Sequence, residues 1–239
     1  MKKYFILTII TILFLFSCKN EEEKPKVSYD TNTKKVVEQK KDTAKVVVAD
    51  LPIQFDGSQF LIYPIGEVRI TDYNSKISYS RSEKTDVSFV ISSNLENEIT
   101  GNLQNLKFQR IDSDSLVSLT EKTINIQSVV YLKSMVDKLK KQFLVYSVAD
   151  VDSNKDGELD GSDIKSLYIS GIDGSNFIKI SPDFQEVIDW KIIDSRNRLY
   201  FRTIGDNNKN GAFDKTDKVH YNFVNLLDKE LKAQEFSAL

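Results

Sequence analysis

The sequence predicts an all-β fold of antiparallel strands, from its strand-like runs and from an internal repeat. Short runs rich in β-branched and aromatic residues follow one another between residues 60 and 223, and turn residues bound most of them, as is typical of strands. The predicted strands are 60–63, 87–91, 129–132, 143–146, 167–169, 187–190, 199–201 and 219–223. Segment 143–148 is largely apolar at consecutive positions, which predicts a central strand covered on both faces. Within 132–144, a turn at 138–141 is predicted in preference to a helix.

The internal repeat indicates how the strands are grouped. Segment 105–120 aligns on 166–181 without a gap, so that Leu106 and Asp112 match Leu167 and Asp173. The two aspartates are predicted to lie in turns between strands. Downstream, Asp152 aligns on Asp206 at a slightly shorter offset. Each unit therefore reads as a strand, a polar loop, and three further strands joined by turns.

The first polar loop has the ligand spacing of an EF-hand calcium loop. Its oxygen-bearing side chains stand at positions 1, 3, 5, 9 and 12, which are Asp152, Asn154, Asp156, Asp160 and Asp163. Gly157 at position 6 permits a sharp turn, because it has no Cβ to clash at positive φ. Glu158 at position 7 is expected to contribute its backbone carbonyl, and Leu159 at position 8 is expected to point inward.

The second loop repeats the pattern in residues 206–217. Its predicted ligands are Asp206, Asn208, Asn210, the backbone carbonyl of Ala212, Asp214 and Asp217. The first loop offers four ligand carboxylates and the second offers three, so the first is predicted to bind Ca²⁺ more tightly. The alternative is a pair of metal-free turns rich in Asp, Asn and Gly. Turn preference alone does not explain the same oxygen spacing in two loops.

Two resemblances follow from these motifs. Because both loops end in Asp rather than Glu at position 12, they resemble the dockerin type of calcium loop. Here strands rather than helices flank the loops, apart from one possible helical turn at 162–166, so the opening helix pair of a calcium sensor is not available. Segment 167–183, with its Asp173-Gly-Ser-Asn176 turn and Ser181-Pro182 turn, resembles a WD40-like blade of the Tol-system periplasmic type.

That second resemblance implies four-stranded antiparallel blades, with a calcium loop inserted between two strands. Segment 51–239 is long enough for little more than three such units, whereas closed propellers have four or more blades. The prediction is therefore all-β, with antiparallel propeller-like blades or a twisted sandwich and with calcium loops between the strands.

The amino terminus predicts export and a lipid anchor. Two lysines precede an apolar run at 4–16, which is too short for a membrane-spanning helix. Leu15-Phe16-Ser17-Cys18 resembles the lipobox of bacterial lipoproteins, and this implies a signal peptide at 1–17 and acylation of Cys18. The alternative is an ordinary signal peptide with an incidental cysteine. Cys18 is the only cysteine, so a disulfide within the chain is excluded.

The next segment, 18–50, is predicted to be a charged flexible tether, since it is too polar to offset its ordering entropy. Its acidic run Glu21-Glu22-Glu23 resembles the surface-export signal of some Gram-negative lipoproteins. This implies an outer-membrane lipoprotein exposed at the cell surface, or otherwise facing the periplasm. The alternative is a solvated, charged linker.

Composition narrows the function classes. The formal net charge is −2, from 33 basic and 35 acidic residues. The sequence has no basic patch that would indicate a nucleic-acid partner. His220 is the single histidine, and G-x-S-x-G and H-E-x-x-H motifs are missing. The sequence thus predicts a membrane-anchored calcium-binding or structural module with a protein or glycan partner. The alternative is a hydrolase of sugars or peptides using two carboxylates.

Overall fold

The computed structural model describes residues 25–29, 45–69 and 89–238. In these ranges the chain is mostly β, as the sequence predicts, and its strands form two antiparallel sheets. Sheet 1 contains β1 (Lys45–Ala49), β2 (Phe60–Arg69), β3 (Ser92–Leu95), β4 (Glu98–Arg110), β5 (Leu116–Ser118), β6 (Asn125–Tyr131), β7 (Phe143–Ala149), β8 (Lys165–Gly171) and β9 (Ile178–Lys179). Sheet 2 contains β10 (Gln185–Ile193), β11 (Arg198–Gly205), β12 (Lys218–Asn225) and β13 (Ala233–Glu235).

The long strand β4 organises sheet 1. Its first half pairs with β3 and β6, and its second half pairs with β2 and β5. The main path of the sheet then runs β1-β2-β4-β6-β7-β8-β9. Sheet 2 is a simple meander in the order β10-β11-β12-β13. Two sheets that pack on each other fit the sandwich alternative, and the branched sheet 1 lends no support to separate four-stranded blades.

Strand β7 lies between two hydrophobic cores, as the apolar run at 143–148 predicts. Leu144, Tyr146 and Val148 are buried in the first core, on the face shared with β2, β4 and β6. Phe143 and Val145 face the second core. That core contains buried residues of both sheets, namely Leu167 and Ile169 of β8 and Val187, Leu199, Phe201 and Val224 of sheet 2. The second core therefore holds the two sheets together.

The two segments that align in the sequence also share their local strand pairing. In β4 and β5, Lys107 pairs with Ser118, and at the aligned positions of β8 and β9, Tyr168 pairs with Lys179. The bond from the Leu119 N–H to the Leu106 carbonyl, at 2.9 Å, recurs from Ile180 to Leu167 at 2.8 Å. The predicted turns at Asp112 and Asp173 lie between these paired strands.

Close packing explains the glycine in the second of these turns. Gly174 has φ +79°, and a Cβ built on it would lie 2.5 Å from the ring of Phe108. Phe108 belongs to the β4 copy of the repeat and is buried in the first core. The turn of one copy is therefore packed against the strand of the other, so the two copies share one core.

The predictions for three local segments are wrong. A helix, α1 (Lys133–Leu139), replaces the turn predicted around 138–141. It forms because Met135 is fully buried and Val136 and Leu139 pack against the cores, so burial on two faces outweighs its polar residues. Of the strand predicted at 87–91, residues 87 and 88 lie outside the described ranges, residues 89–91 are irregular, and the next strand begins at Ser92. No helical turn follows the first loop, because β8 begins at Lys165.

In β12 buried and partly buried side chains alternate, and the buried face is not the one that carries the large aromatic residues. Asn222 and Val224 of β12 are buried, while Tyr221 and Phe223 lie on the outer face beside Phe236. Trp190 packs against the second core as a half-buried residue. No helix found in the described ranges has the length and apolar character to cross a bilayer.

Candidate metal centre

The two calcium-type loops occupy equivalent connections in the two sheets. Loop 1 (152–163) joins β7 to β8, beyond the last paired residues Ala149 and Lys165. Loop 2 (206–217) joins β11 to β12, beyond Gly205 and Lys218. Each loop thus closes a hairpin whose two strands pair along their length. Any ligand held by a loop would hold the ends of the two strands together.

The backbone has the same unusual shape in both loops. Position 4 is a lysine with positive φ, at 60° for Lys155 and 59° for Lys209. Position 6 is the glycine, with φ of 87° for Gly157 and 85° for Gly211. Left-handed backbone favours glycine, so the positive φ at position 6 explains why both loops have glycine there. Closely similar φ values at equal positions show that the two loops fold alike.

The carboxylate at position 1 accepts a hydrogen bond from the backbone at position 6. Gly157 N–H donates to Asp152 Oδ2 at 3.0 Å, and Gly211 N–H donates to Asp206 Oδ2 at 2.8 Å. The side chain of position 1 is thereby turned across the loop toward its centre. The second loop adds a bond from the Asn210 N–H to Asp206 Oδ1 at 3.2 Å.

Side chains at positions 3, 5 and 9 each accept a bond from the N–H two residues ahead. In loop 1 these bonds run from Asp156 to Asn154 (2.9 Å), from Glu158 to Asp156 (2.9 Å) and from Ser162 to Asp160 (2.7 Å). In loop 2 they run from Asn210 to Asn208 (2.8 Å), from Ala212 to Asn210 (2.8 Å) and from Thr216 to Asp214 (2.7 Å). Each bond occupies one side-chain oxygen and fixes its orientation. The Thr216 hydroxyl also donates to Asp214, and its bonds lower the pKa of that carboxyl.

The aspartate at position 12 closes each loop. Asp163 Oδ1 accepts the N–H of Ser153 at 2.7 Å, and its Oδ2 accepts the N–H of Asp160 at 3.0 Å. In loop 2, Asp217 accepts the equivalent bonds from Asn207 and Asp214, at 2.9 and 3.0 Å. Asp163 is 0% exposed, whereas Asp217 is half-buried. Position 12 therefore has a structural role that ligand spacing alone does not predict.

A buried oxygen without a partner distinguishes the first loop. Asp152 Oδ1 is buried and makes no hydrogen bond, and an unpaired carboxylate oxygen away from water is costly. A cation at the loop centre would compensate for that cost, and the hard oxygen donors of the loop fit Ca²⁺. Within the described ranges, no three His, Cys, Asp or Glu side chains converge closely enough to hold a metal. The donors here also include amide and backbone oxygens, as calcium loops require.

Five residues of the predicted tether lie against both loops. In the segment Pro25–Tyr29, the Val27 N–H donates to the Gly211 carbonyl at 3.1 Å, and the Ser28 N–H donates to the Ser153 carbonyl at 2.8 Å. The Tyr29 hydroxyl hydrogen-bonds Asp206, and burial together with that carboxylate raises the pKa of Tyr29 to about 12. This segment therefore belongs to the site. Cys18 and the acidic run Glu21–Glu23 lie outside the described residues.

Two further carboxylates support the first loop from its base. Asp150 accepts hydrogen bonds from the Tyr168 hydroxyl at 2.8 Å and from Lys179 at 2.9 Å. Burial opposes ionisation of Asp150, but the bonds from Lys179, Tyr168 and Ser166 together lower its pKa. Glu186 of β10 accepts the Lys165 N–H at 2.7 Å, just after the loop. The hairpin end is thus tied to sheet 2 by polar contacts.

Several parts of the site are not predicted by the sequence motifs, namely Asp150, Glu186, Ser153 and segment Pro25–Tyr29. For Asp150, Glu186 and Ser153 no local pattern signals the role, because their partners are distant along the chain. The segment does carry a signal. Val27 and Tyr29 form a short apolar pattern in a polar stretch, and Val27 is buried, at 6% exposed.

A separate cleft of about 930 Å³ lies beside α1 and is lined by Phe60, Phe143 and Ile172 together with charged residues. Among its carboxylates, Asp173 accepts hydrogen bonds from Ser175 in its own turn, and Glu230 is paired with Lys232 at 2.6 Å. His220 contacts Glu235 at 2.9 Å and is not among the residues that line this cleft. These contacts assign no catalytic role, and the hydrolase alternative stays a prediction.

Comparison with known protein families, with curated proteins and with solved structures gives no match to this chain. The assignment of a function therefore depends on the geometry of the two loops and on the sequence.

Proposed function

We propose that this protein is a lipid-anchored, calcium-binding β module in which Ca²⁺ stabilises the two inter-strand loops. The observation that carries the proposal is the agreement between the loops in the positions of their oxygen-bearing side chains, in the hydrogen bonds at those positions and in backbone angles. A turn needs only a few of these features. The repetition of all of them in two sheets favours a shared ligand over two unrelated turns.

The chain's own residues would hold one ion in each loop. In loop 1 the donors are the side chains of Asp152, Asn154, Asp156, Asp160 and Asp163 with the carbonyl of Glu158, and in loop 2 they are the side chains of Asp206, Asn208, Asn210, Asp214 and Asp217 with the carbonyl of Ala212. The ion would supply positive charge that offsets the negative charge of the loop carboxylates. Because it binds only the folded loop, it stabilises the folded state by linkage.

A structural or binding role fits this arrangement better than a sensor role. Strands flank both loops and pair up to the loop ends, so the metal would lock the ends of paired strands rather than open a pair of helices. Rigid hairpin ends are suited to presenting a surface to a protein or glycan partner.

Calcium titration by isothermal calorimetry tests the proposal. Two binding events are expected for the chain 19–239, which keeps every described residue. Asp152→Ala should remove the tighter event, since loop 1 carries more carboxylates, and Asp206→Ala should remove the weaker one. Asp189→Ala, outside both loops and paired with Arg202, is the control and should retain both. Absence of any calcium-dependent heat in the unsubstituted chain contradicts the proposal.

The membrane anchor is proposed from the sequence resemblance alone. Cys18 would carry the lipid, and the acidic run after it would direct the protein to the outer face of the outer membrane. Stable attachment needs more than one acyl chain or a second signal. Fractionation of cells should find the protein with membranes, and Cys18→Ser should move it to the soluble fraction. Membrane association that is unchanged in Cys18→Ser contradicts the anchor.

A further inference from the structure

The segment Pro25–Tyr29, named the strap here, is the element that joins the two loops. Loop 1 belongs to sheet 1 and loop 2 to sheet 2. The strap bonds to the Gly211 carbonyl at position 6 of loop 2 and to the Ser153 carbonyl at position 2 of loop 1. The Ser153 hydroxyl donates in turn to the Lys26 carbonyl at 2.7 Å. Three polar contacts thus link the strap backbone to both loops.

The groove between the loops is shaped to admit the strap. Val27 is only 6% exposed although it belongs to a polar stretch of the chain. At Gly211 a Cβ would lie 2.6 Å from the Val27 carbonyl and 2.9 Å from Pro25 Cβ. The glycine required by the loop turn therefore also lets the strap backbone approach. One residue serves both the loop and the groove.

Charged and polar side chains fix both ends of the strap. Lys26 Nζ lies 2.9 Å from Glu186, whose side chain is 14% exposed. Glu186 also accepts the Lys165 N–H that follows loop 1. At the other end, the Tyr29 hydroxyl bonds to Asp206, the first predicted ligand of loop 2. The strap is therefore held by side chains as well as by its backbone.

We propose that the groove between the loops is a peptide-docking site occupied by the chain's own strap, and that docking and calcium binding favour each other. This inference rests on the proposed function for its calcium part. The strap bonds to backbone groups inside the loops, so a metal that orders a loop also orders a docking contact. Linkage is reciprocal, and a docked strap must therefore raise calcium affinity by the same factor.

Trypsin cleavage after Lys26 measures docking in the chain 19–239. The Lys26–Val27 bond is expected to be cut at least tenfold more slowly in millimolar calcium than in excess chelator, followed by mass spectrometry. Val27→Asp puts a charge at a buried strap position without altering either loop, and it should abolish the protection. Val46→Asp is the matched control, since Val46 is 42% exposed on β1, and it should behave as the unsubstituted chain.

Calorimetry supplies the reciprocal measurement. Val27→Asp should weaken calcium binding about tenfold at one or both loops, whereas Val46→Asp should not change it. Calcium binding with equal Lys26 cleavage in calcium and chelator overturns the coupling and leaves the proposed function standing. If calcium does not bind, the proposed function fails. Docking is then tested by comparing Lys26 cleavage of Val27→Asp and of the unsubstituted chain, both in chelator. Equal cleavage of Val27→Asp and the unsubstituted chain overturns the docking itself.

Discussion

Millimolar calcium is expected to raise the melting temperature of the chain 19–239 by about 5–10 °C over its value in excess chelator. A ligand at about 100 times its dissociation constant stabilises the folded state by about 2.7 kcal/mol. In a domain of this size, each kcal/mol corresponds to roughly 2–4 °C. The physical origin lies in loop 1, where four predicted ligand carboxylates stand within twelve residues of chain and the buried Asp152 Oδ1 makes no hydrogen bond.

The double variant Asp152→Ala with Asp156→Ala should lose most of this shift. In calcium, its melting temperature should be close to that of the unsubstituted chain in chelator. Asp112→Ala with Asp114→Ala removes two carboxylates from a turn outside the loops, and its calcium shift should be unchanged. Differential scanning calorimetry with calcium, magnesium and chelator gives the comparison. A chain that melts at one temperature in all three solutions has loops that are metal-free turns.

Asp163→Ala is expected to lower the free energy of unfolding by about 3 kcal/mol even in excess chelator. Its carboxylate is 0% exposed and accepts the backbone N–H groups of Ser153 and Asp160. Removing it leaves these donors without their partner inside the loop, and each buried unpaired group costs about 1–3 kcal/mol. The loss of stability belongs to the hydrogen bonds and not to the metal, so chelator should not abolish it.

Asp217→Ala is the matched control for this prediction. It holds the same position in loop 2 and accepts equivalent bonds from Asn207 and Asp214, but it is half-buried. Water can replace its bonds more easily, so the cost in chelator should be about 1 kcal/mol. Urea unfolding of both variants measures the difference. Equal and small costs for Asp163→Ala and Asp217→Ala would assign position 12 to metal binding alone.

The fold class and the loop conformations could be predicted because their signals are local. Alternating apolar runs define the strands, and the repeated segment recurs in the register of β4–β5 and β8–β9. The loop spacing predicts Gly157 and Gly211 at positive φ, as observed. Within each strand, loop or copy of the repeat, the residues that carry the signal are close neighbours in the chain.

Features that depend on tertiary packing could not be predicted. Helix α1 forms where Met135 can be buried in the second core while Val136 packs against the first, and this is not visible in a segment rich in lysine. Asn222 lies on the buried face of β12, where its side-chain amide donates a hydrogen bond to the hydroxyl of Thr203 of β11, another buried polar residue. The strap contacts residues more than a hundred positions away. No local pattern encodes partners at such separations.

Docking of the strap sets how far the folded domain can stand from a bilayer. The chain from Cys18 to Pro25 is short, and the chain from Cys18 to Lys45 is almost four times as long. A fully extended chain spans at most about 3.5 Å per residue, which allows about 25 Å in the first case and about 95 Å in the second. If Cys18 carries the lipid, a docked strap holds the domain within the shorter of these two distances from the anchor. A released strap raises this upper limit to the longer distance. If calcium favours docking of the strap, as proposed above, calcium would also reduce the greatest distance that the domain can keep from the membrane.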